Sequence, residues 1–266
     1  DFEDGPAPRG TGELKHVPPG YRRMIRFKSG RLFSQPVLAG TELILWLDTD
    51  SYFPEEVPTN PFAEVASMGA SFGYVYAIHE PAFAVQGLLD VALLFAVASG
   101  MNRSQRMQKP AFARLFGEDG PPRDSTLAIS TRLLGLDEAL QAPFRQQPLW
   151  SRQVIMGDFE VLDVHLWRSG RHQDFIDWME AWGGWWLYRW GNHAIRTVQA
   201  WLLMAESQVL RLHVPYAHQN FCQCVPPAAR QGSGESLRPR VCVQPAGAGG
   251  RFWCVDEAQE NESAAG

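Results

Sequence analysis

The sequence predicts an α/β fold with one core, and three observations support that class. Short apolar segments of strand type alternate along the chain with segments of helical periodicity. Hydrophobic residues make up 45% of the 266 positions, which is enough to bury a core. The apolar run from Leu43 to Leu47 ends abruptly in Asp48-Thr49-Asp50, as expected where a buried strand reaches a ligand at its carboxyl end.

Five segments repeat apolar residues at helical spacing and therefore predict helices. The first is expected to end near Gly30, and the fourth is closed by Gly183 and Gly184, because glycine adopts the backbone conformations that end helices. The predicted helices are 21–33, 82–99, 125–142, 170–182 and 192–207. The second of these is apolar, but it is shorter than a membrane-spanning helix and contains polar residues, so we interpret it as a buried helix.

Three segments predict strands, because they are short, rich in β-branched or aromatic residues and bounded by turn residues. They are 42–47, 71–79 and 209–214. Residues 1–20 are polar and rich in Pro and Gly, which predicts an extended N-terminal loop. Residues 226–266 predict a loop with cysteines followed by a disordered acidic tail. The expected catalytic or binding domain therefore covers residues 21–225.

Composition limits the classes of partner. The net charge of −5 and the absence of a basic stripe argue against nucleic acid as the main partner. Six tryptophans cluster between Trp178 and Trp201. Tryptophan faces suit sugar rings, and tryptophan is also ordinary core material, so both interpretations stay open.

All cysteines lie late in the chain, at Cys222, Cys224, Cys242 and Cys254. They predict either disulfides or a zinc site. The single residue between Cys222 and Cys224 is a shorter gap than zinc thiolate pairs usually have. We therefore favour disulfides, and with them an oxidising compartment.

Three groups of residues suggest metal chemistry. Asp48 and Asp50 end the first strand, and such a carboxylate pair is typical of a divalent cation site that grips a diphosphate, although an acidic turn also explains it. Acidic residues also interrupt apolar sequence at Asp158, Glu160 and Asp163. His218 follows a short predicted strand. Carboxylates with one histidine fit Mn²⁺, and a separate acid such as Glu160 could act as base or nucleophile. Taken alone, Glu160 also fits a helix cap and His218 a structural loop histidine.

Four segments resemble, in the same order, signature blocks of the fungal-type α-1,2-mannosyltransferases, the family that includes glycolipid 2-α-mannosyltransferase. The first begins Gly20-Tyr21-Arg22-Arg23-Met24, and the third contains Arg189-Trp190-Gly191. The similarity covers the chain from about Gly20 to Cys224. The four segments are Gly20–Gly30, Asp158–Asp163, Gly183–Gly191 and His213–His218.

This resemblance implies a GT-A-like mixed sheet flanked by helices and a retaining glycosyltransferase. Such an enzyme would move mannose from GDP-mannose to a mannose hydroxyl of a glycoprotein glycan, with Mn²⁺ as cofactor. It would lie in the Golgi lumen and reach the membrane only through an anchor upstream of this sequence. The implied Mn²⁺ ligands are Asp48, Asp50 and His218, and Glu160 would be the nucleophile or the stabiliser of the oxocarbenium ion. The implied substrate-binding residues are Tyr21, Asp158, Asp163, Trp190 and Asn192.

The chain also departs from the family pattern. Trp46 replaces an arginine, Asp158 an asparagine and Asn192 an aspartate, while Asp48 replaces a glutamate. The family's first β-α-β unit lies before Tyr21, so the chain is expected to be N-terminally truncated. The alternative is therefore a noncatalytic or truncated family member that acts as a binding or orphan domain. A generic metal hydrolase explains the acidic residues but not the other family blocks.

Overall fold

The computed structural model describes residues 18–101, 150–187, 189–219, 221–225, 240–244 and 251–256. The α-helices in these ranges are α1 (Pro19–Ser29), α2 (Pro61–Ser67), α3 (Leu88–Ala98), α4 (Val164–Arg168), α5 (Gly170–Ala181), α6 (Gly184–Leu187) and α7 (Asn192–Leu203). The first six strands are β1 (Leu43–Leu47), β2 (Ser51–Tyr52), β3 (Phe72–Tyr74), β4 (Ala77–His79), β5 (Gln153–Ile155) and β6 (Phe159–Asp163). The others are β7 (Val209–Arg211), β8 (Tyr216–His218), β9 (Phe221–Gln223), β10 (Arg240–Val243) and β11 (Trp253–Asp256).

The chain forms two compact units rather than the single core that the sequence predicted. The helical unit comprises Asp1–Glu42, Tyr76–Met156 and Asp163–Val209. The strand-rich unit comprises Leu43–Val75, Gly157–Leu162 and Leu210–Gly266. Each unit is assembled from segments that are far apart in the sequence, and local patterns do not reveal such an arrangement.

A four-stranded sheet in the order β1-β6-β3-β7 is central to the strand-rich unit. Strands β3 and β6 are antiparallel, with Gly73 opposite Val161. Gly73 permits close packing, because a Cβ atom there would lie 2.7 Å from the Val65 side chain and 2.9 Å from that of Leu212. A second sheet, β2-β8-β9, is antiparallel, and β10 and β11 form a separate antiparallel pair.

Helix α7 is the centre of the helical unit. Its residues from Asn192 to Leu202 are buried all round, and it packs against α1, α3, α5 and β5. This packing buries polar side chains of the helix, and one of them, Thr197, accepts a hydrogen bond at Oγ1 from the backbone N–H of Ile155 at 2.8 Å. That contact satisfies the Thr197 hydroxyl within the protein.

The helix predictions agree with the structure except at their ends. The predicted helix 82–99 is a 3₁₀ turn followed by α3, because Gly87 adopts a left-handed backbone conformation (φ 71°). The predicted helix 192–207 ends at Leu203, and residues 206–208 form a 3₁₀ turn. The predicted helix 125–142 lies outside the described residues.

The strand predictions were less accurate. The segment 71–79 divides into β3 and β4, which belong to different sheets. Alternation of side chains identifies extended backbone, but it does not reveal where a chain leaves one sheet for another. The segment 209–214 is strand only to Arg211, and His218 lies within β8 rather than in a loop. The predicted loop after residue 226 contains β10 and β11.

None of the helices in the part of the chain that the structure describes combines the length and apolar character needed to cross a lipid bilayer. Helix α3 is an apolar helix, and it extends only from Leu88 to Ala98. This agrees with the interpretation of that segment as a buried helix.

We predict that Gly184→Ala strongly destabilises the helical unit. A Cβ atom at Gly184 would lie 1.9 Å from the Trp190 ring, and Trp190 is 1% exposed with its Nε1–H bonded to the carbonyl of Gln86 at 2.8 Å. Overpacking of this kind costs about 1–3 kcal/mol or more. Urea unfolding measures the loss. Gly170→Ala is the matched control, because space is open there, and an equal effect of the two changes would contradict the packing argument.

We predict that His172 makes stability depend on pH. Burial lowers the pKa of His172 from 6.5 to about 4, although the nearby Asp163 carboxylate opposes this. Below about pH 6.5 the unfolded chain binds a proton that the folded protein excludes, so stability is lost as the pH falls from 6.5 towards 4, by at most about 3 kcal/mol.

Unfolding at a series of pH values checks this expectation. His172→Phe keeps an aromatic ring beside Trp167, which His172 contacts edge to face, and should flatten the profile between pH 4 and 6.5. The exposed His165 offers a control, His165→Gln, which should leave the profile unchanged. A profile in His172→Phe as steep as that of the unmodified protein would refute the assignment.

Candidate metal centre

Strand pairing brings Asp48 and Asp158 together. The backbone N–H of Asp48 donates to the carbonyl oxygen of Asp158 at 2.9 Å, and that of Val164 donates to the carbonyl of Glu42 at 2.8 Å. In these two hydrogen bonds the higher residue number on the β1 side is paired with the lower number on the β6 side, so the two strands are antiparallel. The end of β1 therefore lies beside the start of β6.

His218 reaches the same place from β8. The register of β8 with β2 puts His218 opposite Ser51, the residue after Asp50. The His218 Nε2 atom lies 3.0 Å from Asp50 Oδ1, and the Gln219 amide donates to Asp50 Oδ2 at 3.2 Å. Partial burial opposes the shift, but the hydrogen bonds of Gln219 and His218 and the charge of His218 lower the pKa of Asp50 below 3.8. Asp50 therefore stays ionised at neutral pH.

These residues form a donor set that suits a divalent cation. One ligand atom each from Asp48, Asp50 and His218 lies within 4.8 Å of the others. Two ligands at right angles, each about 2.1 Å from an octahedral cation, are about 3 Å apart, and the Nε2–Oδ1 distance of 3.0 Å fits this. Carboxylates suit Mn²⁺, and an imidazole is a common ligand of first-row transition metals, so the donor set is compatible with Mn²⁺.

The other nitrogen of the His218 ring contacts a buried carboxylate. Nδ1 lies 2.8 Å from Asp158 Oδ2, and the two side chains are only 5% and 1% exposed. A buried carboxylate is costly unless it is paired, and the imidazole N–H provides that pairing. The imidazole thus lies between Asp158 on one side and Asp50 on the other.

Hydroxyl and indole groups support the carboxylates. The Tyr216 hydroxyl lies 2.5 Å from Ser51 Oγ and also bonds to the side chain of Asp158. Burial raises the pKa of Tyr216 far above 10; the bond to Ser51 opposes this, while the charges of Asp158 and Asp48 add to it. Tyr216 therefore remains a neutral hydrogen-bond donor. The Trp46 Nε1–H donates to Asp48 Oδ1 at 2.7 Å.

Glu160, the predicted catalytic acid, lies within β6. Its register partner is Tyr74 of β3, and its side chain is 0% exposed. A carboxylate with no exposure to water is rare in a sheet interior that serves packing alone. Glu160 stands two positions after Asp158 on the same segment, so the segment that reaches His218 also carries Glu160.

The remaining predicted substrate-binding residues belong to the helical unit: Tyr21, Asp163, Trp190 and Asn192. Asp163 accepts hydrogen bonds from the backbone N–H groups of His165 (2.9 Å) and Leu166 (3.1 Å), so its side chain caps α4. Trp190 and Asn192 are buried, while Tyr21 is 38% exposed on α1. The observed contacts of Asp163 and Trp190 are those of residues that hold the fold.

Sequence reasoning missed Ser51, Tyr216 and Gln219. Each of them is a neighbour of a predicted metal ligand in sequence, and that proximity was the available signal. The hydroxyl of Tyr216 serves the site because β8 pairs with β2, and the sequence does not reveal that pairing.

The four cysteines form two disulfides. Cys222 bonds to Cys242, and Cys224 bonds to Cys254. Cys242 and Cys254 are register partners in the β10–β11 pair. The two bonds therefore attach both strands of this pair to β9 and the residues directly after it.

Comparison with known proteins places the chain in a family. The family model described as glycolipid 2-alpha-mannosyltransferase matches residues 16–231. The "Probable mannosyltransferase YUR1" of Saccharomyces cerevisiae is 25% identical over 205 residues, which cover 77% of this chain and 44% of that protein. This chain thus spans about half the length of the relatives that it matches.

Solved structures share the fold. The mannosyltransferase Ktr4p of Saccharomyces cerevisiae aligns with a TM-score of 0.63 and 17% identity, over 85% of this chain and 53% of that chain. The Mn/GDP-form of core-mannan synthase A (CmsA/Ktr4) from Aspergillus fumigatus aligns with a TM-score of 0.60 and 17% identity, over 77% and 50%. The predicted GT-A-like α/β fold is confirmed. With a family model matched over most of its length, the chain belongs to the glycolipid 2-alpha-mannosyltransferase family.

Proposed function

We propose that this chain carries part of the catalytic domain of a retaining, Mn²⁺-dependent α-1,2-mannosyltransferase. It moves mannose from GDP-mannose to a mannose hydroxyl of a glycoprotein glycan. The catalytic portion corresponds to residues 21–225. The observation that carries the proposal is the convergence of Asp48, Asp50 and His218 within 4.8 Å, in a chain of this family. The Mn/GDP-form of the Aspergillus fumigatus relative supports the choice of metal and nucleotide.

Different residues of the chain have different roles in the proposed transfer reaction. Asp48, Asp50 and His218 would hold the cation, which would supply positive charge to neutralise the charge that builds on the GDP leaving group. In the transfer, the bond from the anomeric carbon to the phosphate oxygen breaks. The acceptor hydroxyl oxygen forms the new bond on the same face, and its proton passes to the departing phosphate.

Glu160 stabilises the positive charge that develops at the anomeric carbon. Its carboxylate is fully buried, and electrostatic effects are stronger where water is excluded. A fixed negative charge in such a place favours the transition state without reorganisation of solvent. This role requires that Glu160 is ionised when the donor binds.

The two disulfides support an oxidising compartment. Disulfides persist in oxidising compartments, and this chain forms two of them. The proposed location is the Golgi lumen, where donor and glycan acceptor would meet.

A transfer assay tests the proposal. Full-length protein with radiolabelled GDP-mannose, Mn²⁺ and an α-mannoside acceptor should form an α-1,2-linked product, and a chelator should stop the reaction. Glu160→Gln keeps the shape of the side chain and removes its charge, so it should lower kcat by about 100-fold or more. Asp50→Asn should raise the Mn²⁺ concentration required for half-maximal rate by about 10- to 100-fold.

Asp177→Asn is the matched control for both changes. Asp177 is an exposed carboxylate of the helical unit, 64% exposed at its side chain, and its loss should leave kcat and the Mn²⁺ requirement unchanged. Activity of Glu160→Gln and Asp50→Asn equal to that of the unmodified protein would overturn the site. Failure of the unmodified protein to turn over any GDP-sugar would favour the noncatalytic alternative.

A further inference from the structure

Asp158 connects the segments that carry the metal ligands. Its backbone carbonyl accepts the N–H of Asp48 at 2.9 Å. Its carboxylate lies 2.8 Å from Nδ1 of His218 and is bonded to the Tyr216 hydroxyl. One residue thus contacts both the end of β1 and the face of β8, which reach the site from opposite ends of the sequence.

The position of Asp158 argues against contact with substrate. The two ring nitrogens of an imidazole point to different sides, and Asp50 lies at Nε2 while Asp158 lies at Nδ1. The side chain of Asp158 is 1% exposed, whereas that of Asp50 is 57% exposed. The cation and any nucleotide can approach the Asp50 side, and the histidine ring separates Asp158 from it.

The chemistry of histidine explains how this contact can affect metal binding. A neutral imidazole offers a lone pair at only one nitrogen, and the hydrogen bond made by the other nitrogen decides which one. Both ring nitrogens face a carboxylate, but Asp158 is buried whereas Asp50 is largely exposed. The hydrogen bond from Nδ1–H to Asp158 is therefore less screened by water, and it leaves the lone pair at Nε2, on the side of Asp50 and Asp48. Metal-bound histidines are commonly oriented in this way, and loss of the orienting group weakens metal affinity.

We propose that Asp158 is a positioning residue that fixes the tautomer and the ring orientation of His218, so that the centre binds its cation before the nucleotide arrives. This role replaces the substrate contact predicted for Asp158 from the sequence. The inference rests on the proposed function, because it takes the three-residue centre as the cation site. Tyr216 and Ser51 complete the arrangement, since the Tyr216 hydroxyl holds the Asp158 carboxylate in place.

The test is a titration of full-length protein with Mn²⁺ alone, without nucleotide, in which free Mn²⁺ is measured by electron paramagnetic resonance. Asp158→Ala should weaken Mn²⁺ binding by about 10- to 100-fold. Asp158→Asn should weaken it less, because the amide oxygen still accepts a hydrogen bond from Nδ1. Asp177→Asn, the exposed control, should bind Mn²⁺ as the unmodified protein does.

A second measurement reports the tautomer itself. With ¹⁵N-labelled histidine, the cation-free protein should show the proton of His218 on Nδ1 at a pH where the ring is neutral. In Asp158→Ala the population should shift towards the Nε2–H tautomer, the form that prevails in free histidine. A merely structural role for Asp158 would change stability without this redistribution.

The outcomes separate the two proposals. Failure of the unmodified protein to bind Mn²⁺ would overturn the metal centre and the function proposed from it. Mn²⁺ binding in the unmodified protein that is equal in folded Asp158→Ala and Asp158→Asn would overturn the positioning role alone. Equal weakening in both variants would also overturn it, because loss of charge would then explain the effect without an orienting hydrogen bond.

Discussion

The imidazole of His218 lies between Asp50 and Asp158, and this contact joins three segments of the strand-rich unit. The three residues come from β8, from the turn after β1 and from the turn before β6. Each is brought to the site by backbone pairing, of β8 with β2 and of β1 with β6. A slip of one residue in the β2–β8 register would turn His218 to the other side of the sheet, so register and site are specified together.

The surroundings of this contact explain why it is ordered. Buried charges are tolerated only when they are paired, and Asp158 is paired with His218 and with the hydroxyl of Tyr216. Strands hold such groups more rigidly than loops do. Strand β8 pairs in turn with β9, and the disulfides attach β10 and β11 to β9 and the residues that follow it. The histidine therefore lies on a strand that has a partner on each side.

Packing around α7 is central to the helical unit. Helix α7 is buried all round, and the Arg196 guanidinium lies 5.7 Å from the Phe33 ring centre and 5.4 Å from that of Trp167. Arg196 is 1% exposed, and its side chain donates to the backbone carbonyl of Lys28. Contacts with aromatic faces and a carbonyl suit a buried guanidinium, whose charge is spread over a plane. Tryptophans of the late cluster, such as Trp185 and Trp190, are buried here, so they serve as core material.

The sequence by itself determined the α/β class and most helices, and it predicted a cation site at Asp48 and Asp50, because consecutive residues carry these signals. The family blocks gave Glu160 and His218 specific proposed roles, since ordered motifs carry information that single residues lack. Only the tertiary structure decided what Asp158 and Asp163 do: one contacts His218, and the other caps a helix. The tertiary structure alone also showed that the segment 71–79 is divided between two sheets. His218 and Asp50 are in contact although they are 168 positions apart in the sequence. Strand register and burial determine such a contact, and neither can be read from a local sequence pattern.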